Sequence, residues 1–113
     1  NKKKIFSLLN KRSNYFQNNL NAFIKKNKIN AKVYRFHSLI RLVFTNQVVN
    51  NRLQRDFLET KNLNNIKKFR SFLLKKGIYY PSNGIIFFSS KTSNHDVKKI
   101  LYYFKEGLIK NIN

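Results

Sequence analysis

The reactive side chains of this sequence are overwhelmingly cationic. Lysine and arginine account for 24 of 113 residues against four acids and two histidines, a formal charge of +20. A lysine can form a Schiff base only after losing its proton, which requires a desolvated pocket. None of these lysines stands in a recognisable motif of that kind. The acids Asp56, Glu59, Asp96 and Glu106 form no obvious general acid/base pair. His37 and His95 are too few for a metal cluster, and His37 reads as a hydrogen-bonded turn residue. The absence of cysteine excludes disulfides, thiolate catalysis and cysteine metal sites. No catalytic, cofactor-binding or metal-ligating residue is assigned.

The charge itself has two readings. A surface this basic attracts nucleic acid through counterion release. Tyr34, Arg35, Phe36 and Arg41 on one hairpin would then supply stacking and phosphate contacts, with Lys25, Lys26 and Lys28 as a further phosphate-touching cluster. On that view the chain is a basic RNA-binding module such as an organellar ribosomal protein. The other reading is compositional. The excess is lysine and accompanies heavy use of Asn, Ile, Phe and Tyr, the vocabulary of an AT-rich genome.

The elements that would position these groups follow from hydrophobic spacing. Ile5, Leu9, Phe16, Leu20, Phe23 and Ile24 recur at helical period, predicting a helix over about 3–27. Lysines at its end suit the negative pole of the helix dipole. Residues 32–36 and 39–45 read as two strands joined at His37-Ser38, with Val33 and Arg35 opposite Tyr34 and Phe36. Residues 52–60 are helical or irregular. Ile66, Phe69, Phe72 and Leu73 mark a helix over 63–76, closed by Gly77. Ile78-Tyr79-Tyr80 suits a short strand, Pro81 stops it, Asn83-Gly84 turns, and 85–89 is a buried strand. Ser93 with Asp96 three residues on resembles a capping box before a helix over 94–110. Phe44 and Phe72 are expected in the core. The pattern predicts an α+β unit: a small, mainly antiparallel sheet covered on one face by three helices in two layers.

Val33 to Thr45 with Val49-x-Asn51, Phe69 to Ser82, and Ser90 with Asp96-Val97 are three segments that together resemble the C-terminal domain of class III pyridoxal-phosphate-dependent aminotransferases, in the glutamate-1-semialdehyde aminomutase branch. Val33-x-Arg35-x-x-Ser38-x-x-x-Leu42-x-Phe44-Thr45 is similar to that branch's strand pair, and Val49-x-Asn51 to the element after it. Phe69-x-x-Phe72-x-Leu74-x-x-Gly77-Ile78-Tyr79-x-Pro81-Ser82 resembles its helix and following strand, and Ser90 and Asp96-Val97 fall near the opening of its last helix. The order and spacing agree over nearly the whole chain. His37 replaces a glycine, and Ile85 replaces a glutamate associated with the branch's substrate pocket.

The resemblance implies a small domain that closes one wall of a substrate cleft, with Tyr80, Ser82 and Ile85 on that wall. It implies pyridoxal phosphate in the full-length protein, held by a large domain that carries the Schiff-base lysine, and a homodimer at full length. It also implies an enzyme only as part of a longer chain, with none of the cofactor bound by this segment. The chain contains no methionine and opens at Asn1. Residues 1–113 are therefore expected to be one domain, a fragment lacking its cofactor-binding partner. No targeting signal or membrane span is legible, so a cytoplasmic or organellar location without a membrane partner is expected.

Overall fold

The computed structural model describes residues 2–45 and 47–112. Helix α1 (Lys2–Lys26) leads into strands β1 (Lys32–Phe36) and β2 (Leu39–Val43). Helix α2 (Arg52–Glu59), a 3-10 turn (Thr60–Asn62) and helix α3 (Leu63–Lys75) follow, then β3 (Ile85–Phe87) and α4 (Asn94–Asn111). The sheet is antiparallel in the order β1-β2-β3. The α+β arrangement is the expected one, with four α-helices in place of three among the described residues. None of them is long and apolar enough to cross a membrane among the described residues.

Register decides the two sheet faces, because cross-strand partners point the same way. Val33 opposes Leu42, and Ile40 opposes Ile86, and this set meets the helices. Tyr34 opposes Arg41, Arg41 opposes Ile85, and Leu39 lies between Phe36 and Phe87 on the other face. Phe36, Leu39 and Phe87 are exposed there.

The core forms where α1, α3 and α4 cross behind the inner face. Phe104 packs edge-on against Phe16, Phe69 and Tyr80, with centroids 5.3, 5.5 and 5.7 Å away. Gly107 lets α3 approach α4: a Cβ there would meet Phe69 and Phe72 ring atoms at 2.9 Å. Phe44 is buried as expected, whereas Phe72 is half-buried beneath the ammonium groups of Lys76 and Lys110. Phe69, one turn earlier, takes the central place.

Two helices end alike. Ile78 N–H returns to Leu73 O at 2.9 Å across Gly77 at φ 81°, and Ile29 N–H returns to Ile24 O at 3.0 Å across Lys28 at φ 54°. Glycine announces the first ending, while lysine does the second against its preference. The predicted Ser93–Asp96 capping box opens α4, with both reciprocal bonds formed.

Three strand boundaries differ from expectation, each for a local reason. Residues 78–80 form no strand, because the Ile78 N–H is spent on the end of α3 and the segment pairs with no neighbour in the β1-β2-β3 sheet. Strand β2 ends at Val43, because the Phe44 N–H donates to Glu59 Oε2 at 2.8 Å instead of to a neighbouring strand. Strand β3 ends at Phe87, whose partner Leu39 is the first residue of β2; Phe88 then packs on Phe16. On the β1 side, Asn21 of α1 accepts from the Val33 N–H at 2.8 Å and donates to the Val33 carbonyl at 2.9 Å.

Candidate functional site

The outer sheet face is the surface that the helices leave open. Arg41 stands at its centre between Tyr34 and Ile85. These three, with Phe36 and Leu39, line a shallow depression of about 270 Å³. Lys32 Nζ sits 5.3 Å from the Tyr34 ring centroid, a cation–π distance. The Tyr34 hydroxyl is buried with no hydrogen-bond partner.

A turn over 81–84 borders this face. Gly84 N–H donates to Pro81 O at 3.0 Å, and Ile85 N–H to Asn83 Oδ1 at 2.9 Å. Gly84 sits at φ 74°, where a Cβ would meet Leu42 O at 2.9 Å and the Tyr80 hydroxyl at 3.1 Å. Only glycine fits that backbone and that space.

Helix α2 fastens the turn from behind. Arg55, whose side chain is 7% exposed, donates from Nη1 to Asn83 O at 2.6 Å. Its Nη2 reaches Asp56 Oδ1 at 3.0 Å, and its Nε lies 3.6 Å from Glu59 Oε1. One guanidinium therefore links α2 to the turn, and through Glu59 to the end of β2. Asn51 makes this geometry possible by capping α2, its side chain accepting from Gln54 N–H at 2.8 Å.

Burial pushes the Glu59 carboxyl above the usual glutamate range, against the Phe44 N–H and the Arg55 charge, which both pull it down. Burial also raises the Tyr80 phenol well above the usual tyrosine range, with the Glu59 charge adding to it.

The candidate residues distribute unevenly over this geometry. Ile85, expected on a cleft wall, and Tyr34, Phe36 and Arg41, expected on a nucleic-acid surface, share the outer face. Ser82 is exposed on the turn. Tyr80, expected on the same wall, is 4% exposed, and its hydroxyl donates to Leu42 O at 3.4 Å. It backs the turn from within the core and presents no side chain outward, because the aromatic cluster offers its ring better company than water does. Arg35 borders the same depression as its hairpin neighbours, but by register its side chain belongs to the other face. There it bonds Gln17 Oε1 and the His37 carbonyl, at 3.2 and 2.8 Å. Lys25, Lys26 and Lys28 are exposed at the far end of α1. His37 occupies the hairpin turn at φ 55° with its ring against Phe36.

Arg55 and Glu59 were missed. Their i, i+4 spacing after an asparagine cap was the available signal.

Among the described side chains no lysine is buried, so none has the desolvated setting an imine-forming amine requires. Groups of three or more histidine, cysteine or acidic side chains able to hold a metal are also missing among the described residues.

No known family profile matches the chain, and no curated protein matches it in sequence. Solved structures do match in fold. An ω-transaminase from Sphaerobacter thermophilus superposes over 94% of this chain and 24% of its own, with a TM-score of 0.78 at 12% identity. A β-phenylalanine aminotransferase from Variovorax paradoxus superposes over 88% of this chain and 22% of its own, with a TM-score of 0.76 at 17% identity. The chain thus has the fold of one part of these aminotransferases and spans about a quarter of their length.

Proposed function

We propose that these residues are the small domain of a class III pyridoxal-phosphate-dependent aminotransferase. In this reading a larger domain of the parent protein holds the cofactor, and the 81–84 turn with Ser82 and Ile85 forms one wall of the substrate cleft. The observation that carries the proposal is the fold likeness to aminotransferases across nearly the whole chain. It agrees with the ordered motifs around Val33, Phe69 and Gly77-Ile78-Tyr79. The sheet face bordered by the turn keeps Phe36, Leu39 and Phe87 exposed, as a surface awaiting another domain would.

The aminomutase branch rests on the sequence pattern alone. Ile85 carries no charge where that branch has its glutamate, so glutamate 1-semialdehyde is not the substrate we assign. The cofactor would supply an electron sink for amino transfer. The residues described here supply a wall: Arg55 holds the turn, and Ile85 gives the cleft an apolar surface.

The test compares the parent protein with the 113 residues alone. The parent should show the cofactor's protein-bound absorbance near about 420 nm and transaminase activity, and the segment alone neither. A parent without that band, together with RNA binding by the segment that falls steeply with salt, would overturn the reading.

A further inference from the structure

Helix α2 carries its large apolar side chains on the side away from the core. An amphipathic helix ordinarily turns that face inward. Here Leu53 and Phe57, four residues apart and so on one face, are exposed, and the buried residue is Arg55. Val48 before the helix and Leu63 after the 3-10 turn are exposed as well. The facing is enforced by polar contacts. Rolling α2 over to bury Leu53 and Phe57 would break the Arg55 bond to Asn83 O at 2.6 Å and the Phe44 N–H bond to Glu59 at 2.8 Å.

Clustered exposed apolar side chains mark a place where another surface sits. Three observations choose the occupant. A second copy would set this patch against itself, bringing together two chains of +20, each with an exposed Arg52 beside Leu53. The stripe is also small: a free-standing complex of ordinary size takes about 20–30 residues a side, whereas a domain tethered in the same polypeptide docks on much less. Finally, α2 is the helix bonded to the 81–84 turn, so a domain that faces the turn borders α2. We infer that the Leu53–Phe57 stripe docks on an apolar seat of the cofactor-holding domain of the parent protein, an inference that rests on the small-domain reading above. Helix α2 is then a strut. Arg55 grips the turn and the stripe grips the neighbouring domain, so the cleft wall is set against that domain.

The test is made in the parent protein. Under hydroxyl-radical footprinting Phe57 should react several-fold more slowly than Tyr102, which is exposed on α4. The double variant Leu53→Ser, Phe57→Ser should raise the rate of limited proteolysis within residues 1–113 by about tenfold, since an undocked domain opens more often. Leu74→Ser, at an exposed site on α3, should leave that rate as it was. The mass by sedimentation should be the same in all three proteins. Phe57 as reactive as Tyr102, or a double variant cleaved no faster than Leu74→Ser, would overturn the inference. A fall in mass in the double variant would also overturn it, by showing that the stripe seats a second copy. The cofactor absorbance near about 420 nm separates the two levels: its absence sinks the small-domain reading, while its presence with an open Phe57 sinks the docking inference alone.

Discussion

Helices α2 and α4 are built on opposite plans. Helix α4 buries Val97, Leu101, Phe104 and Leu108 along one stripe and turns its lysines outward. Helix α2 does the reverse: Arg55 is its buried residue, while Leu53 and Phe57 are 83% and 77% exposed. Apolar burial holds the first helix, with nothing polar left to satisfy. The second is held by one guanidinium with three partners, which specifies where the 81–84 turn sits but gains little from desolvation. A helix can therefore be placed by packing or by wiring, and the two should fail differently.

The largest effect should fall on the packed helix. Phe104→Ala removes the ring shared by Phe16, Phe69 and Tyr80 and should cost about 3–5 kcal/mol in urea unfolding. A loss under about 1 kcal/mol, the scale of an ordinary substitution, would mean that α4 is not the packed partner.

Arg55→Ala should cost about 3 kcal/mol, because it leaves Glu59 and the Asn83 carbonyl without their buried partner. The double variant Arg55→Met, Glu59→Gln should recover most of that loss, since it removes both charges together and the glutamine amide oxygen can still accept from the Phe44 N–H. A double variant no better than Arg55→Ala would show that the guanidinium's hydrogen bond to the turn, and not the charge pair, carries the energy.

Gly107→Ala should cost about 1–2 kcal/mol: the crowding against Phe69 and Phe72 outweighs the roughly 1 kcal/mol that alanine gains in a helix. Higher stability in this variant would mean that α3 and α4 can separate freely.

The two helices should also respond oppositely to pH. Glu59 has a raised pKa in the folded chain, so the folded state binds more protons between the unfolded and folded values. Its contribution is fully present below the ordinary glutamate range and is lost as pH rises through the higher folded value. Asp96 of α4 is held below its usual range by Ser93, so its contribution is present above the ordinary aspartate range and is lost as pH falls through the lower folded value. Urea midpoints across acid pH should lose the falling limb in Glu59→Gln and the rising limb in Asp96→Asn. The same limb lost in both would refute the assignment.

The smallest effect belongs to the exposed stripe of α2. Leu53→Ser and Phe57→Ser should each stay within about 0.5 kcal/mol in this chain, as at other surface sites.

The same contrast explains what could be read in the sequence. Helix α4 was legible because its apolar spacing, serine cap and acid three residues on all agree. Helix α3 and the 32–43 hairpin were legible by period. Helix α2 was not, because its apolar pair faces outward and the side chain that fixes it is an arginine, which periodicity assigns to solvent. The Arg55–Asn83 bond spans 28 residues, beyond any local pattern. Ile78-Tyr79-Tyr80 misled in the other direction: its composition and its alternation, Tyr79 outward at 75% exposure and Tyr80 inward at 4%, suit a strand, but the Ile78 N–H closes the end of α3 and the segment joins no sheet. Fold class came from patterning, and the construction around the turn came from contacts that patterning does not encode.

Asn21 has a consequence beyond holding α1 to β1. An outermost strand normally offers an unpaired N–H and C=O as a template on which another chain can add a strand. At Val33 both groups are already taken by one amide side chain, with Gln17 donating to the same carbonyl at 3.2 Å. The helix thus stands in for the missing neighbour strand. On a hairpin rich in β-branched and aromatic residues, an incoming strand would then find neither backbone group of Val33 free to pair with.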